Sequence, residues 1–226
     1  MKRTLFSCIL LILALAPVSQ ASAAATPTAV PKPATLTLIG HASIKIITSA
    51  GTVLYIDPYY PGDYSEAADI ILVSHEHQDH NKVSSCTPND GCLTLRVKQT
   101  INRDGSYNTF NHLDIMIEPF PAFNSNHKRQ TTNGFLITFD GITIYFASDT
   151  SRIPEMEGLA ARAIDYAFFP IDGQYNMNTA EAMACAAIVK ARHNTPMHWF
   201  NTDPSGFKPE NLLYIPYGDT VTLDGE

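Results

Sequence analysis

The order of apolar and polar positions predicts a chain that begins with strands. Short apolar or alternating segments, bounded by Gly, Pro, Asn or Asp, are typical of strands. Eight such segments precede residue 150, at 35–39, 43–48, 52–56, 69–73, 93–99, 113–117, 135–139 and 142–146. The pair Asp140-Gly141 favours a tight hairpin turn between the last two.

Helices are predicted only in the C-terminal half. One spans 154–162 and begins with Pro154, which suits a first helical turn. The other spans 179–192, with Asn178 as its cap and Glu181 at the reciprocal capping position. Short strands at 165–169 and 195–199 alternate with these helices. The order predicts an α+β fold in which two sheets pack face to face with helices outside.

The N-terminal segment has the features of a secretory signal peptide. Lys2-Arg3 precedes an apolar stretch at 5–16, and Ala21-Ser22-Ala23 offers a cleavage site. We predict a signal peptide at 1–25, a Pro-rich leader at 26–34 and a single domain at 35–226, with an uncleaved anchor as the alternative. The mature protein is then expected to be periplasmic or secreted, with no membrane attachment after cleavage.

The charge balance argues against nucleic acid as a partner. The chain carries 15 basic and 22 acidic residues, a net charge of −7. Loss of Lys2 and Arg3 with the signal peptide makes this −9. The sequence contains no run of basic residues, so its surface is unsuited to a polyanion. We expect a small-molecule substrate instead.

Three cysteines follow the signal peptide. Cys86 and Cys92 flank Thr-Pro-Asn-Asp-Gly, a strong turn sequence. Because export leads to an oxidising compartment, we predict a Cys86–Cys92 disulfide; metal binding by this pair is the alternative. Cys185, among alanines, is predicted to be a small core residue.

The most informative motif follows the strand predicted at 69–73. It reads His75-Glu76-His77-Gln78-Asp79-His80, a His-x-His-x-Asp-His pattern with three imidazoles and the Asp79 carboxylate within six residues. These groups bind zinc and similar divalent metals. His75 and His77 point the same way on an extended backbone, while Asp79 and His80 can turn toward a second position. One loop can therefore serve two adjacent metals, and paired metals favour hydrolysis.

Further candidate ligands follow other predicted strands, where a scaffold presents functional side chains. His127 lies in a polar loop, Asp149 follows the strand at 142–146, and His198 ends the strand at 195–199. His41, in a Gly-His-Ala turn, is predicted near the site rather than as a ligand. We place His112 on a wet strand face and His193 at a helix end, away from the site.

The motif resembles the signature of the metallo-beta-lactamase-fold hydrolases. Other segments resemble the small, lactonase-like members: 38–43, 56–58, 121–124 followed by His127, 133–135, 148–150, 153–156, 170–173 and 196–198. Ser148 departs from the resemblance, because it stands where the family has Gly. The resemblance implies a single-domain αββα four-layer sandwich.

The resemblance also implies roles for matched residues. His75, His77 and His127 would hold one divalent metal ion. Asp79, His80 and His198 would hold a second, and Asp149 would bridge the two. Zinc suits this ligand set, and manganese and iron are alternatives.

These observations predict an exported hydrolase that uses two metal ions and activated water. Asp79 is the candidate for moving a proton to the leaving group. Tyr175 and Asn176 are candidates to line the substrate cleft. A lactone or other cyclic ester is the first substrate expectation, with a phosphodiester or a beta-lactam as alternatives. The non-catalytic alternatives are a metal-binding protein without turnover and an envelope interaction module.

Overall fold

Twelve strands of the computed structural model form two six-stranded sheets; the structure describes residues 32–225. In chain order the strands are β1 (Thr35–Gly40), β2 (Ser43–Ile47), β3 (Val53–Ile56), β4 (Ala68–Leu72), β5 (Pro88–Leu95), β6 (Phe110–His112), β7 (Ile115–Pro121), β8 (Asn133–Phe139), β9 (Ile142–Phe146), β10 (Tyr166–Pro170), β11 (His193–Met197) and β12 (Thr220–Thr222). The first sheet has the order β12-β1-β2-β3-β4-β5 and the second β11-β10-β9-β8-β7-β6.

Both sheets are mixed. In the first, β12, β1, β2 and β3 pair antiparallel, whereas β3, β4 and β5 run parallel. In the second, β6 to β9 pair antiparallel, and β9, β10 and β11 run parallel. Parallel neighbours end at the same edge of a sheet, so the loops after β3 and β4, and after β9, β10 and β11, emerge together.

The main core lies between the two sheets. Alternate residues of β1 and β2, such as Leu36, Leu38 and Ile44, are fully buried against residues of the second sheet such as Phe135 and Phe146. This alternation is the period-two pattern that identified the strands in the sequence. The predicted face-to-face packing of two sheets is therefore confirmed.

Helices cover the outer face of the second sheet. A 3-10 helix at Pro154–Arg162 and helix α2 at Thr179–Val189 bury residues such as Met156, Leu159 and Cys185 there. The first sheet's outer face has a smaller apolar cluster that includes Tyr55, Ile71 and Cys86. The remaining helices are short: α1 (Val97–Thr100) and 3-10 turns at Val83–Ser85 and Pro204–Gly206. The predicted single-domain α+β sandwich is confirmed, and so is the buried position of Cys185.

Several element ends differ from the prediction for local reasons. The segment predicted as one strand at 93–99 turns helical after Leu95, because the Gln99 side chain accepts a hydrogen bond from the Arg96 amide. Helix α2 stops at Val189, because Lys190 adopts a left-handed conformation with φ 57°. Asn178 does cap it, accepting from the Glu181 amide at 2.9 Å, but the Glu181 side chain binds the Arg152 amide instead.

The predicted Cys86–Cys92 disulfide is wrong in this structure, where both cysteines are free. Residues of the expected turn belong to β5, which pairs with β4. Burial raises the pKa of the Cys86 thiol to about 12. A thiol held in its protonated form is a poor nucleophile for disulfide formation.

Gly134 marks a close approach of strands in the second sheet. A Cβ atom there would lie 2.4 Å from the Phe146 carbonyl oxygen and 2.9 Å from that of Ala147. Backbone atoms cannot move aside cheaply, so Gly134→Ala is expected to lower the free energy of unfolding by about 1–3 kcal/mol. Urea denaturation measures this, with Gly158→Ala as the control because a Cβ at Gly158 has no neighbour within 4 Å. Equal stability of the two variants would contradict the argument.

The predicted signal peptide at 1–25 and leader residues 26–31 lie outside the described residues. The predicted cleavage and export are therefore not addressed by the fold. Within residues 32–225, no helix has the length and apolar composition needed to cross a membrane.

Candidate metal centre

The predicted ligands converge from the ends of four strands. The His-rich loop follows β4, the loop carrying His127 joins β7 to β8, Asp149 follows β9, and His198 follows β11. One sheet supplies the first loop and the other sheet supplies the remaining three residues. A backbone bridge between His75 and Thr132 ties the His-rich loop to the segment before β8. The structure thus brings all seven predicted residues to one edge of the sandwich.

Asp149 lies at the centre of this cluster and is 2% exposed. Its Oδ2 atom is 3.3 Å from His127 Nε2, 3.5 Å from His198 Nε2 and 4.0 Å from His75 Nε2. Its Oδ1 atom is 3.5 Å from His80 Nε2. One carboxylate therefore faces imidazoles from both predicted ligand sets, which is the arrangement a bridging ligand needs.

The donor atoms form two adjacent groups, each compact enough to hold an ion. One group contains His75, His77 and His127. The other contains Asp79, His80 and His198, as predicted, and also His41. His41 Nε2 lies 3.1 Å from Asp79 Oδ2, and its ring packs on that of His198 with centroids 3.6 Å apart. The sequence placed His41 near the site; the structure places its ring nitrogen among the donor atoms.

Asp57 holds two of the imidazoles from behind, a role the sequence did not reveal. It follows β3, is fully buried, and its Oδ2 accepts from His80 Nδ1 at 2.7 Å and from Ser74 Oγ at 2.6 Å. The Ser74 hydroxyl, having donated to Asp57, accepts from His75 Nδ1 at 3.0 Å. Protons on both Nδ1 atoms leave the Nε2 lone pairs facing the centre.

Asp172 and Asn124 support the other two buried histidines. Asp172, after β10, has Oδ2 at 3.1 Å from His198 Nδ1. Asn124 Oδ1 accepts from His127 Nδ1 at 3.0 Å. The Asn124 amide in turn donates to the Tyr175 carbonyl, so the loop after β10 and the His127 loop brace each other. Partners of this kind fix the tautomer and orientation of a metal-binding imidazole.

The inward-facing atoms meet the requirements of a metal site. The Nε2 atoms of His75, His80 and His198 and the Oδ1 atom of Asp149 are buried, and none of them makes a hydrogen bond within residues 32–225. Buried polar atoms without partners are costly unless a ligand uses their lone pairs. Neutral imidazole nitrogens and a carboxylate are a donor set for zinc, manganese or iron. These residues therefore fit a divalent metal.

The electrostatics of the cluster favour a charged carboxylate among neutral and cationic imidazoles. Burial alone would raise the pKa of Asp149, but the surrounding histidines outweigh it and hold that pKa below its usual range. Burial and the neighbouring His80 lower the pKa of His75 to about 2, which keeps its ring neutral. Burial opposes ionisation of His80 as well, yet the carboxylates of Asp149 and Asp57 raise its pKa to about 9, so a divalent ion that binds its Nε2 atom would displace a proton.

Two openings flank the cluster. The aromatic pocket, of about 270 Å³, lies on the Asp79 side and is lined by His41, Asp79, Tyr59, Tyr60, Phe200, Asn201 and Tyr217. The basic cleft, of about 880 Å³, lies on the other side, where Lys98, Arg103 and Lys128 join His75, His77 and His127 in its walls. A substrate can therefore reach the donor atoms from either side.

The remaining candidates lie away from the donor atoms. His112 ends β6, and His193 opens β11, not a helix end as predicted, with its ring stacked on Tyr166 at 4.9 Å. Tyr175 is 48% exposed and reaches the site through its backbone carbonyl. Asn176 is held by Asp172 and Asn124 and likewise acts by bracing the loops.

Residues 35–198 match the family model described as a beta-lactamase superfamily domain. The chain belongs to the beta-lactamase superfamily. Relatives of the chain include a UPF0173 metal-dependent hydrolase of Nitratidesulfovibrio vulgaris, 30% identical over 230 residues, covering 84% of this chain and 95% of the relative. Another, from Pyrococcus furiosus, is 28% identical over 203 residues, covering 78% and 89%. The prediction of a metal-dependent hydrolase is confirmed by this membership.

A solved structure supports the same fold. Igni18, a metallo hydrolase from the archaeon Ignicoccus hospitalis, superposes with a TM-score of 0.69 at 21% identity, covering 86% of this chain and all of that one. Ser148, which departs from the family resemblance, has φ 59°, a left-handed conformation that Gly adopts without strain. The turn before Asp149 is therefore kept despite the substitution. The role of each residue as a ligand remains a prediction.

Proposed function

We propose that this protein is an exported hydrolase that holds two divalent metal ions and opens a lactone or other cyclic ester. The position of Asp149 carries the binuclear part of this proposal, since its two oxygens face His75, His127, His198 and His80 within 4.0 Å. The resemblance to lactonase-like members motivates the substrate class. The segment at 1–25 motivates export.

The residues divide into two ligand sets and a bridge. His75, His77 and His127 are proposed to hold one ion, and Asp79, His80 and His198 the other, with Asp149 shared. Bound divalent ions would supply Lewis-acid polarisation of the ester and activation of a water molecule. Asp57, Ser74, Asp172 and Asn124 keep the imidazole lone pairs aimed at the centre.

Asp79 is the proposed proton carrier. Opening a lactone adds a hydroxyl to the acyl carbon, breaks the ring C–O bond and delivers a proton to the departing alkoxide. Asp79 is the most exposed of the acidic donors, with 39% of its side chain accessible, and its Oδ2 atom lies 3.1 Å from His41 Nε2. Both residues line the aromatic pocket, and we propose that they exchange the proton there.

Metal content and substrate range test the proposal together. Protein purified with zinc, manganese or iron is expected to contain about two ions per chain by elemental analysis, as the paired donor groups imply. It is then assayed on lactones, a phosphodiester and a beta-lactam. Preferential turnover of lactones supports the proposal. A single tightly held ion without turnover of any substrate would instead identify a non-catalytic metal-binding protein, and preferential turnover of another class would reject the lactone.

A further inference from the structure

The basic cleft collects positive charge beside the metal centre. Lys98 and Arg103 come from α1 and the loop after it, and Lys128 comes from the His127 loop. All three side chains are exposed, and all three line the same cavity of about 880 Å³. The cavity also contains His75, His77 and His127, so its floor is part of the proposed site.

No carboxylate neutralises these three cations, and Arg103 thereby differs from the other arginines of residues 32–225. The other arginines of residues 32–225 each contact an acid: Arg96–Glu76, Arg129–Glu155, Arg152–Glu157, Arg162–Glu118 and Arg192–Asp165. Within the same residues, no carboxylate lies within ion-pair distance of Lys98, Arg103 or Lys128. The cleft's own acidic residue, Glu76, is already engaged by Arg96.

The positive charge of the basic cleft contrasts with the net charge of the protein. The protein as a whole carries a net charge of −7, so a cleft wall with three cations and no carboxylate paired to them is opposite in sign to the protein as a whole. Three unneutralised cations in one concave wall concentrate a positive potential there and attract anions. An arginine with free N–H groups binds a carboxylate or a phosphate through paired, charge-assisted hydrogen bonds.

We propose that the basic cleft binds an anionic group, a carboxylate or a phosphate, on the part of the substrate that does not react. Arg103 would bind this group through its paired N–H donors, and Lys98 and Lys128 would contribute charge. The inference rests on the proposed function because the reacting ester would lie over His75, His77 and His127. It deepens that function: the preferred cyclic ester carries a negatively charged substituent.

The test compares matched lactones with metal-loaded protein. Each lactone carries an alkyl chain, short, medium or long, that ends in a carboxylate, a phosphate monoester or a neutral primary amide. The wild-type kcat/KM is expected to be roughly tenfold or more higher for the best anionic lactone than for its amide, the size of one charge-assisted hydrogen bond. A larger preference for the phosphate than for the carboxylate identifies a phosphate as the natural group, and the reverse identifies a carboxylate.

Substitutions then assign the preference to the cleft. Arg103→Gln alone, and with Lys98→Gln and Lys128→Gln, is expected to bring the anion-to-amide ratio of kcat/KM toward one. The matched control is Lys208→Gln, an exposed lysine outside the cleft, which should keep the wild-type ratio. An anion-to-amide ratio near one in the wild-type protein overturns the inference. So does a ratio that is the same in the cleft variants as in the Lys208→Gln control.

A binding measurement separates this inference from the proposed function. If no lactone is hydrolysed, the lactonase proposal fails. Calorimetry then decides independently whether the basic cleft binds an anion. The probes are the ring-opened hydroxy diacid and its monoamide, titrated into metal-loaded protein. Tighter binding of the diacid, lost on Arg103→Gln and kept on Lys208→Gln, supports the anion site. Equal affinity for both probes rejects it.

Discussion

Replacing Asp149 with Asn is expected to reduce hydrolysis by more than about 100-fold and to lower the metal content of the protein. The lower bound follows because loss of a partner that merely hydrogen-bonds a ligand costs 10- to 100-fold, and Asp149 is proposed to be a ligand itself. An amide keeps the size of the side chain but loses its charge. It would also present an NH₂ group to one of the imidazole nitrogens that Asp149 now faces at 3.3–4.0 Å.

The control for this variant is Asp165→Asn. Asp165 is similarly buried, at 4% exposure, and accepts hydrogen bonds from the Thr143 amide and Arg192, at the N-terminal end of β10 and away from the donor cluster. Elemental analysis and turnover of the best substrate are compared for the two variants after equal metal loading. Full metal content and turnover in Asp149→Asn would remove the bridging role and with it the basis for a binuclear site.

Asp57→Ala is expected to lower the free energy of unfolding by about 3–5 kcal/mol, the usual cost of breaking a buried ionic hydrogen-bond network. Asp57 Oδ1 accepts from the Ser74 amide at 2.7 Å, and Oδ2 accepts from the Ser74 hydroxyl and from His80. All three donors would lose their acceptor in a site without access to water. Urea denaturation in the presence of a chelator measures this cost apart from any contribution of bound metal.

Asp140→Ala is the matched control, because Asp57 and Asp140 share a left-handed backbone, with φ 45° and 50°. Alanine is disfavoured in this conformation at both positions, by about 1–2 kcal/mol. The hydrogen bonds of Asp140 to Ser49 are exposed, so their loss is compensated by water. A destabilisation no larger for Asp57→Ala than for Asp140→Ala would mean that the backbone, and not the buried network, sets the cost.

The sequence predicted the architecture because burial and periodicity coincide in these strands. Each strand of the central core alternates apolar side chains toward the opposite sheet, a pattern visible in one dimension. The hairpin between β6 and β7 was missed because Leu113, an exposed leucine at φ 52°, gives no turn signal. The three-residue strand β12 is too short to show any alternation.

The donor residues that converge in the fold were predictable, and the residues that support them were not. His127, Asp149 and His198 were found because metal-binding residue types follow strands. Asp57 and Asp172 also follow strands, β3 and β10, so the same rule could have found them. Their function, however, is to hold the far side of an imidazole, Asp57 by a hydrogen bond to His80 and Asp172 by an ion-pair contact with His198. Only the folded chain shows which nitrogen they face.

The basic cleft could not be predicted either. Lys98, Arg103 and Lys128 are separated by up to 30 positions along the chain, so no basic run marks them. Their significance depends on the absence of acidic neighbours, which is a property of three-dimensional packing. The sequence has no run of basic residues, and the expectation that a polyanion is not a partner stays a prediction. The grouping of these three cations in one cleft is visible only in the folded chain.

The division of the donor cluster between the two sheets has a consequence for the order of folding. The loop after β4 belongs to one sheet, while the donors after β9 and β11 belong to the other. Contacts between residues as distant as His80 and His198 form only when the sheets have docked, and such long-range contacts form slowly. Metal ions would therefore bind after the rate-limiting step of refolding, and an interaction made after that step slows unfolding without accelerating folding.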